Sequence, residues 1–199
     1  MYNIVTIERR YASGGNEIGK KLAESLGYQL YDHNILIQAA KNLEIPYYQI
    51  ESLEESTSGG ILMNLSKTAL GGLSGNRELP LADKLFLEEK RIIEEAAEKG
   101  NCVIVGRASG YILKDKENAL RVFIYADKEK RIQRAIEREG IKQAEAENAL
   151  KKNDKRRGGF YTSITNWEWG AAEYYDIYLN AGDLGIEPCV RILKEAVHK

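Results

Sequence analysis

Arginines carry most of the chemistry that this sequence offers. Arg9 and Arg10 close a short apolar run near the start of the chain, Arg131, Arg134 and Arg138 recur three and four residues apart, and Arg156-Arg157 follow as a pair. A guanidinium fork matches two phosphate oxygens at once, so such clusters suit phosphate binding and phosphoryl transfer. Between the first pair and the others stands Ser13-Gly14-Gly15-Asn16-Glu17. Adjacent glycines let backbone N–H groups turn toward one point, and a helix starting there adds about half a positive charge. Ser13, Gly14, Gly15, Asn16 and Glu17 are therefore the candidate phosphate-binding residues. A plain strand-to-helix turn accounts for the glycines equally well.

A Walker loop reads G-x-x-x-x-G-K-[ST], its lysine reaching the outer phosphates and its hydroxyl holding magnesium. Laid over this stretch, the pattern leaves Gly15 at the lysine and Glu17 at the hydroxyl. Arg9 and Arg10 leave the strand at the mouth of the loop and are the candidate lysine substitutes. Glu17 works against an anion, because a carboxylate in the first helical turn takes up the dipole itself unless magnesium lies between.

These residues need elements to place them. Ile4–Ile7, Tyr28–Tyr31, Cys102–Val105, Arg121–Tyr125 and Asp176–Asn180 read as strands with helical patterns between them, one helix beginning near Asn16. Such alternation predicts an α/β fold, a parallel sheet covered on both faces by helices. Ligands of such sheets bind beyond the carboxyl ends of the strands. Those ends carry Arg9-Arg10, Asp32-His33, Gly106-Arg107, Asp127 and Asn180-Ala181-Gly182. Asp32 and Asp127 also suit plain helix capping.

Residues 81–99 read as one long helix, while 44–80, rich in Gly and Ser, read as an insertion able to cover a pocket. A turn near Gly140 joins two helices whose basic clusters are expected to meet over a triphosphate; solvated ion pairing with the interspersed acids is the plainer alternative. The aromatics from Phe160 to Tyr178 suit core packing, base stacking or a partner surface, including a homodimer.

Composition narrows the classes. The chain has 199 residues, 30% of them charged, and a net charge of −1, so no global basic field favours nucleic acid. Cys102, Cys189 and two histidines make neither a disulfide framework nor a metal cluster. Met1 leads straight into a strand and no apolar run approaches the ~20 residues that span a bilayer, so a cytoplasmic, membrane-free protein of one domain is expected.

Nearly the full length, the loose stretch apart, resembles the cytidylate kinase-like family, P-loop-containing relatives of the nucleoside monophosphate kinases. The residues that carry this are Ile7 with Arg9 and Ser13-Gly14-Gly15, LAESLG at 22–27, Tyr31-Asp32, VIVGRA at 103–108, RVFIYADKEKRIQR at 121–134, NDKRR at 153–157, and Tyr175-Asp176 with Leu179-Asn180. The resemblance implies a three-layer αβα P-loop kinase fold with a five-stranded parallel sheet. It also implies ATP with Mg2+, and transfer of the γ-phosphate to a nucleoside monophosphate, CMP or dCMP favoured. It makes 44–80 an acceptor-side insertion and 127–160 a lid. Arg131, Arg134 and Arg157 become catalytic beside Arg9 and Arg10, and Arg107, Asp154 and Asp176 join Asp32 on the acceptor side.

Two departures stand out: the Walker lysine is absent, and the family's Arg-Asp after the third strand reads Arg107-Ala108. Loss of such a lysine costs several kcal/mol of transition-state stabilisation, on the scale of other electrostatic donors. Either arginine compensates, or the chain is a weak or inactive nucleotide-binding regulatory module that keeps the fold.

Overall fold

The computed structural model describes residues 1–46, 49 and 79–199. Of the covering insertion expected at 44–80, all but residues 44–46, 49, 79 and 80 lies outside the described residues.

Near-continuous apolar runs make strands that need burial on both faces. Five form: β1 (Ile4–Arg9), β2 (Gln29–Tyr31), β3 (Cys102–Val105), β4 (Ala119–Tyr125) and β5 (Ile177–Asn180). Between and after them run α1 (Gly15–Leu26), α2 (Asn34–Asn42), α3 (Leu81–Lys99), α4 (Ser109–Ile112), α5 (Lys128–Glu139), α6 (Gln143–Thr165), α7 (Ala181–Leu184) and α8 (Ile186–His198). The strands pair in the order β2-β3-β1-β4-β5, and every ladder is parallel. β1 is central, and Ile4, Val5 and Ile7 are fully buried.

The two-residue period of β1 divides the core. Val5 and Ile7 pack with Ile18 and Leu22 of α1 and with Leu193 and Val197 of α8. Ile4 and Ile104 turn the other way, toward Ile35 and Leu36 of α2 and Ile92 and Ile93 of α3. Each such side chain contributes about 1.5–3 kcal/mol by leaving water. The layering is thus helix, sheet, helix.

All five strands run the same way, so their carboxyl ends share one edge, and the loops that follow them open on it. At that edge α5 ends at Gly140, which takes the left-handed conformation (φ 69), and α6 follows after a short turn. Among the described residues no helix is long and apolar enough to cross a membrane.

Candidate functional site

The loop between β1 and α1 is tied down on its outer side. Arg10 N–H donates to the Ile124 carbonyl at 3.0 Å, and Ser13 Oγ donates to the carbonyls of Arg10 (2.9 Å) and Ile124 (3.2 Å). Ser13 is thereby a loop fastener, with its hydroxyl committed to backbone. Ala12 (φ 55) and Gly14 (φ 90) both take the left-handed conformation, and α1 begins one residue before the expected Asn16. The first N–H groups of a helix have no partner within it, so this end offers donors at the carboxyl edge of the sheet.

Gly15 has no room for a side chain. A Cβ there would lie 2.5 Å from Arg9 Cβ and 2.8 Å from Arg9 Cγ, well inside van der Waals contact. The stem of Arg9 therefore fills the space from which a Walker lysine would depart. Its Nε donates to Asn16 Oδ1 at 2.8 Å, and its guanidinium lies against Gly106. Among the described residues its terminal amino groups have no acceptor. Burial, then the like charge of Arg157, pushes Arg9 down to about 9, which leaves it charged at neutral pH.

The hydroxyl's place needs a correction. With Gly15 at the lysine position, the next residue is Asn16, not Glu17. Asn16 faces Arg9, whereas Glu17 turns outward to accept from Arg134 Nη2 at 2.5 Å. That hydrogen bond holds the Glu17 carboxyl below its ordinary value. Arg134 in turn sits near Gly14, its Cζ 3.6 Å from where a Cβ would be.

Two clefts flank the loop. The first, of about 360 Å³, gathers Arg9, Arg107, Arg156 and Arg157 with Asp32, Glu8 and Glu89, and Phe86 and Phe160 supply apolar wall. Arg157 Nη1 donates to the Arg9 carbonyl at 3.1 Å, which fixes the α6 pair against the end of β1. Burial lowers Arg157 as well. Arg107 pairs with the buried Glu89 at 3.4 Å and lies over the Phe160 ring. Asp32 lines this cleft and also accepts from the N–H of Asn34, the first residue of α2, at 3.2 Å, while His33 holds the N-cap position.

The second cleft, of about 390 Å³, lies on the other side and includes Ser13, Lys130, Arg134, Arg138, Gly182 and Ile186. The two basic clusters therefore do not meet in one place as expected. Lys130, Arg134 and Arg138 of α5 line the second cleft, and the Arg156-Arg157 pair lines the first.

Arg10, Arg131, Asp154 and Asp176, all expected site residues, line neither cleft. Asp154 accepts from Tyr11 N–H (2.8 Å) and Arg131 Nη1 (2.7 Å), and stands 3.7 Å from Arg10 Nη1. Arg131 also donates to the Tyr11 carbonyl at 3.1 Å, and Arg10 stacks over Trp169 at 4.8 Å. Asp154, Arg131 and Arg10 thus brace the loop from outside. Asp176 lies just before β5, at the amino end of that strand, where Arg121 Nη2 donates to it at 2.8 Å. Burial raises its carboxyl, but the hydrogen bonds from Arg121 outweigh this and leave it below its ordinary value.

The aromatic segment is mainly packing: Trp169 and Tyr175 close on Phe123, and Trp167 stacks on Tyr174. Sequence reasoning missed two buried acids of the first cleft, Glu8 and Glu89. Glu8 breaks the apolar run of β1, which was its available signal. Glu89 sits mid-helix on the buried face of α3, at helical spacing from Leu85 and Ile92.

Comparison with known proteins agrees with this architecture. The model of the cytidylate kinase-like family matches residues 4–183. A cytidylate kinase of Archaeoglobus fulgidus is 34% identical over 125 residues, which span 60% of this chain and 64% of that relative, under two thirds of its length. Among solved structures, an uncharacterized protein from Eubacterium ventriosum has 26% identity and a TM-score of 0.74 over 98% of both chains. A shikimate kinase from Bacteroides thetaiotaomicron, 15% identical with a TM-score of 0.57 over 98% of both chains, shares the three-layer P-loop kinase fold. A family match running from the first strand into α7, just after the last strand, makes this chain a member of the cytidylate kinase-like family.

Proposed function

We propose that the chain is an ATP- and Mg2+-dependent kinase that transfers the γ-phosphoryl group to a nucleoside monophosphate, with CMP or dCMP favoured. The observation that carries this reading is Arg9: its stem occupies the lysine's space, and its guanidinium, whose terminal amino groups have no acceptor among the described residues, enters a cleft with three more arginines. The second cleft, beside the helix N-terminus, suits the ATP donor, with Arg134 and Arg138 on the α5 lid. The first cleft suits the acceptor, with Arg107, Arg156 and Arg157 on its phosphate and Asp32 on its outer part.

Phosphoryl transfer asks the protein mainly to hold oxygens in line and to neutralise spreading charge. Arg9, which lines the first cleft beside the loop, would do so there, and the loop amides would hold the donor phosphates. Mg2+ keeps most of its ligands as phosphate oxygens and water, and needs few from protein. Asn16 Oδ1, at the hydroxyl position, already accepts from Arg9 Nε at 2.8 Å and lines the first cleft, so it does not fit this ion, whose ligands would be phosphate oxygens and water. The ion would supply charge neutralisation on the triphosphate.

A second reading, a nucleotide-binding regulatory module without turnover, draws on one observation: Glu17 already engages Arg134 beside the loop. ADP formation across a panel of nucleoside monophosphates separates the two. The kinase reading expects one acceptor to stand out. Tight nucleotide binding with no ADP from any acceptor would leave the module.

A further inference from the structure

The wall of the first cleft holds a carboxyl group that neither the arginines nor the loop employs. Glu8 is 4% exposed; its Oε2 accepts from Trp169 Nε1 at 3.4 Å, and its Oε1 is buried with no hydrogen-bond partner. Burial raises its carboxyl, against the pull of Arg9, the Trp169 hydrogen bond, Arg157 and the nearby Ala108 backbone N–H. A buried oxygen left unsatisfied is costly, and such groups concentrate where a ligand completes them. Trp169 is itself held, between Arg10 over its face at 4.8 Å and the Phe123 ring at 5.7 Å. Its N–H therefore fixes Oε2 and with it the orientation of Oε1. Arg9, the next residue, and Arg157 flank Glu8, so what reaches Oε1 lies close to the phosphate those arginines hold.

We propose that Glu8 is a specificity-determining residue of the acceptor cleft. Its Oε1 accepts a hydrogen bond from a hydroxyl near the acceptor's phosphate, so the cleft selects phosphate monoesters that carry a free sugar hydroxyl. This inference rests on the first cleft being the acceptor site.

Calorimetric titration of CMP, dCMP, 2′,3′-dideoxy-CMP and UMP into the wild type and Glu8→Gln tests it, with ADP formation measured separately. Dideoxy-CMP is expected to bind about tenfold more weakly than CMP to the wild type, as befits loss of a buried hydrogen bond. In Glu8→Gln, Trp169 draws the amide oxygen and turns the NH2 toward the cleft, so the gap is expected to shrink below about threefold. Glu8→Ala, checked for cooperative melting, should shrink it likewise. Equal wild-type affinities, a gap retained in both variants, or a change confined to CMP against UMP would overturn the assignment. Selective binding without ADP formation would sink the kinase reading alone, and no binding of any ligand would overturn both.

Discussion

Arg9 and Gly15 work as a matched pair, one side chain present because the other is absent. Restoring the lysine by Gly15→Lys alone should therefore lower the melting temperature without raising turnover, since the new Cβ meets the Arg9 stem. Arg9→Met should lower kcat/KM by about 10²–10³-fold, the usual cost of one electrostatic donor. Arg9→Gly with Gly15→Lys should be less damaged than the sum of the two, because residues in contact couple. Steady-state kinetics and calorimetry on the three variants check this. Glu8 adds a pH signature. Burial raises its carboxyl above the ordinary 4.5, so its contribution to stability is full below that value and is lost as pH rises through the folded-state value. Glu8→Gln should consequently melt higher than the wild type near neutral pH. The gap should close as pH falls toward 4.5, measured by scanning calorimetry across that range.

Helix α6 links more of the site than any other element: Asp154 reaches the loop, Arg157 the end of β1, and Arg156 and Phe160 the first cleft. Asp154→Ala would leave Arg131, whose side chain is 12% exposed, charged beneath the surface without its partner. Breaking such a pair costs about 3 kcal/mol or more, which for a chain of this size lowers the melting temperature by about 6–12 °C. Nucleotide affinity should fall with it, and hydrogen exchange at Tyr11 should rise. Element positions could be read from sequence because hydrophobic period and burial are local. Cys102–Val105 and Leu81–Lys99 form as expected, and β1 and β4 run only two residues longer than their apolar cores suggest. What period does not encode is the partner a long side chain takes. Arg131 finds Asp154, 23 residues away, Arg134 finds Glu17 across the loop, and Asp176 lies at the far end of its strand from the site. Arg9 could be nominated from the sequence. That Gly15 makes way for it required the backbones to be placed.

Taken whole, the molecule sets two clefts on either side of one loop at the carboxyl edge of a five-stranded sheet. If both are nucleotide sites, ligands at 100 times their Kd should each stabilise the fold by about 2.7 kcal/mol. That corresponds to a rise of about 5–10 °C in melting temperature. ATP and an acceptor together should give more than either alone, and a rise with only one of them would place a single site. The exchange of lysine for arginine also changes what reagents can find here. Nucleotides bearing an acyl phosphate label an amine beside the terminal phosphate, and this loop contains none. Lys20 and Lys21 lie beyond the first turn of α1, and Lys21 is engaged by Glu187. A dicarbonyl reagent, which condenses with guanidinium groups, meets Arg9 instead. Chemical labelling thereby distinguishes this loop from lysine-bearing ones, and the amine that does line the second cleft, Lys130, is engaged by Asp183.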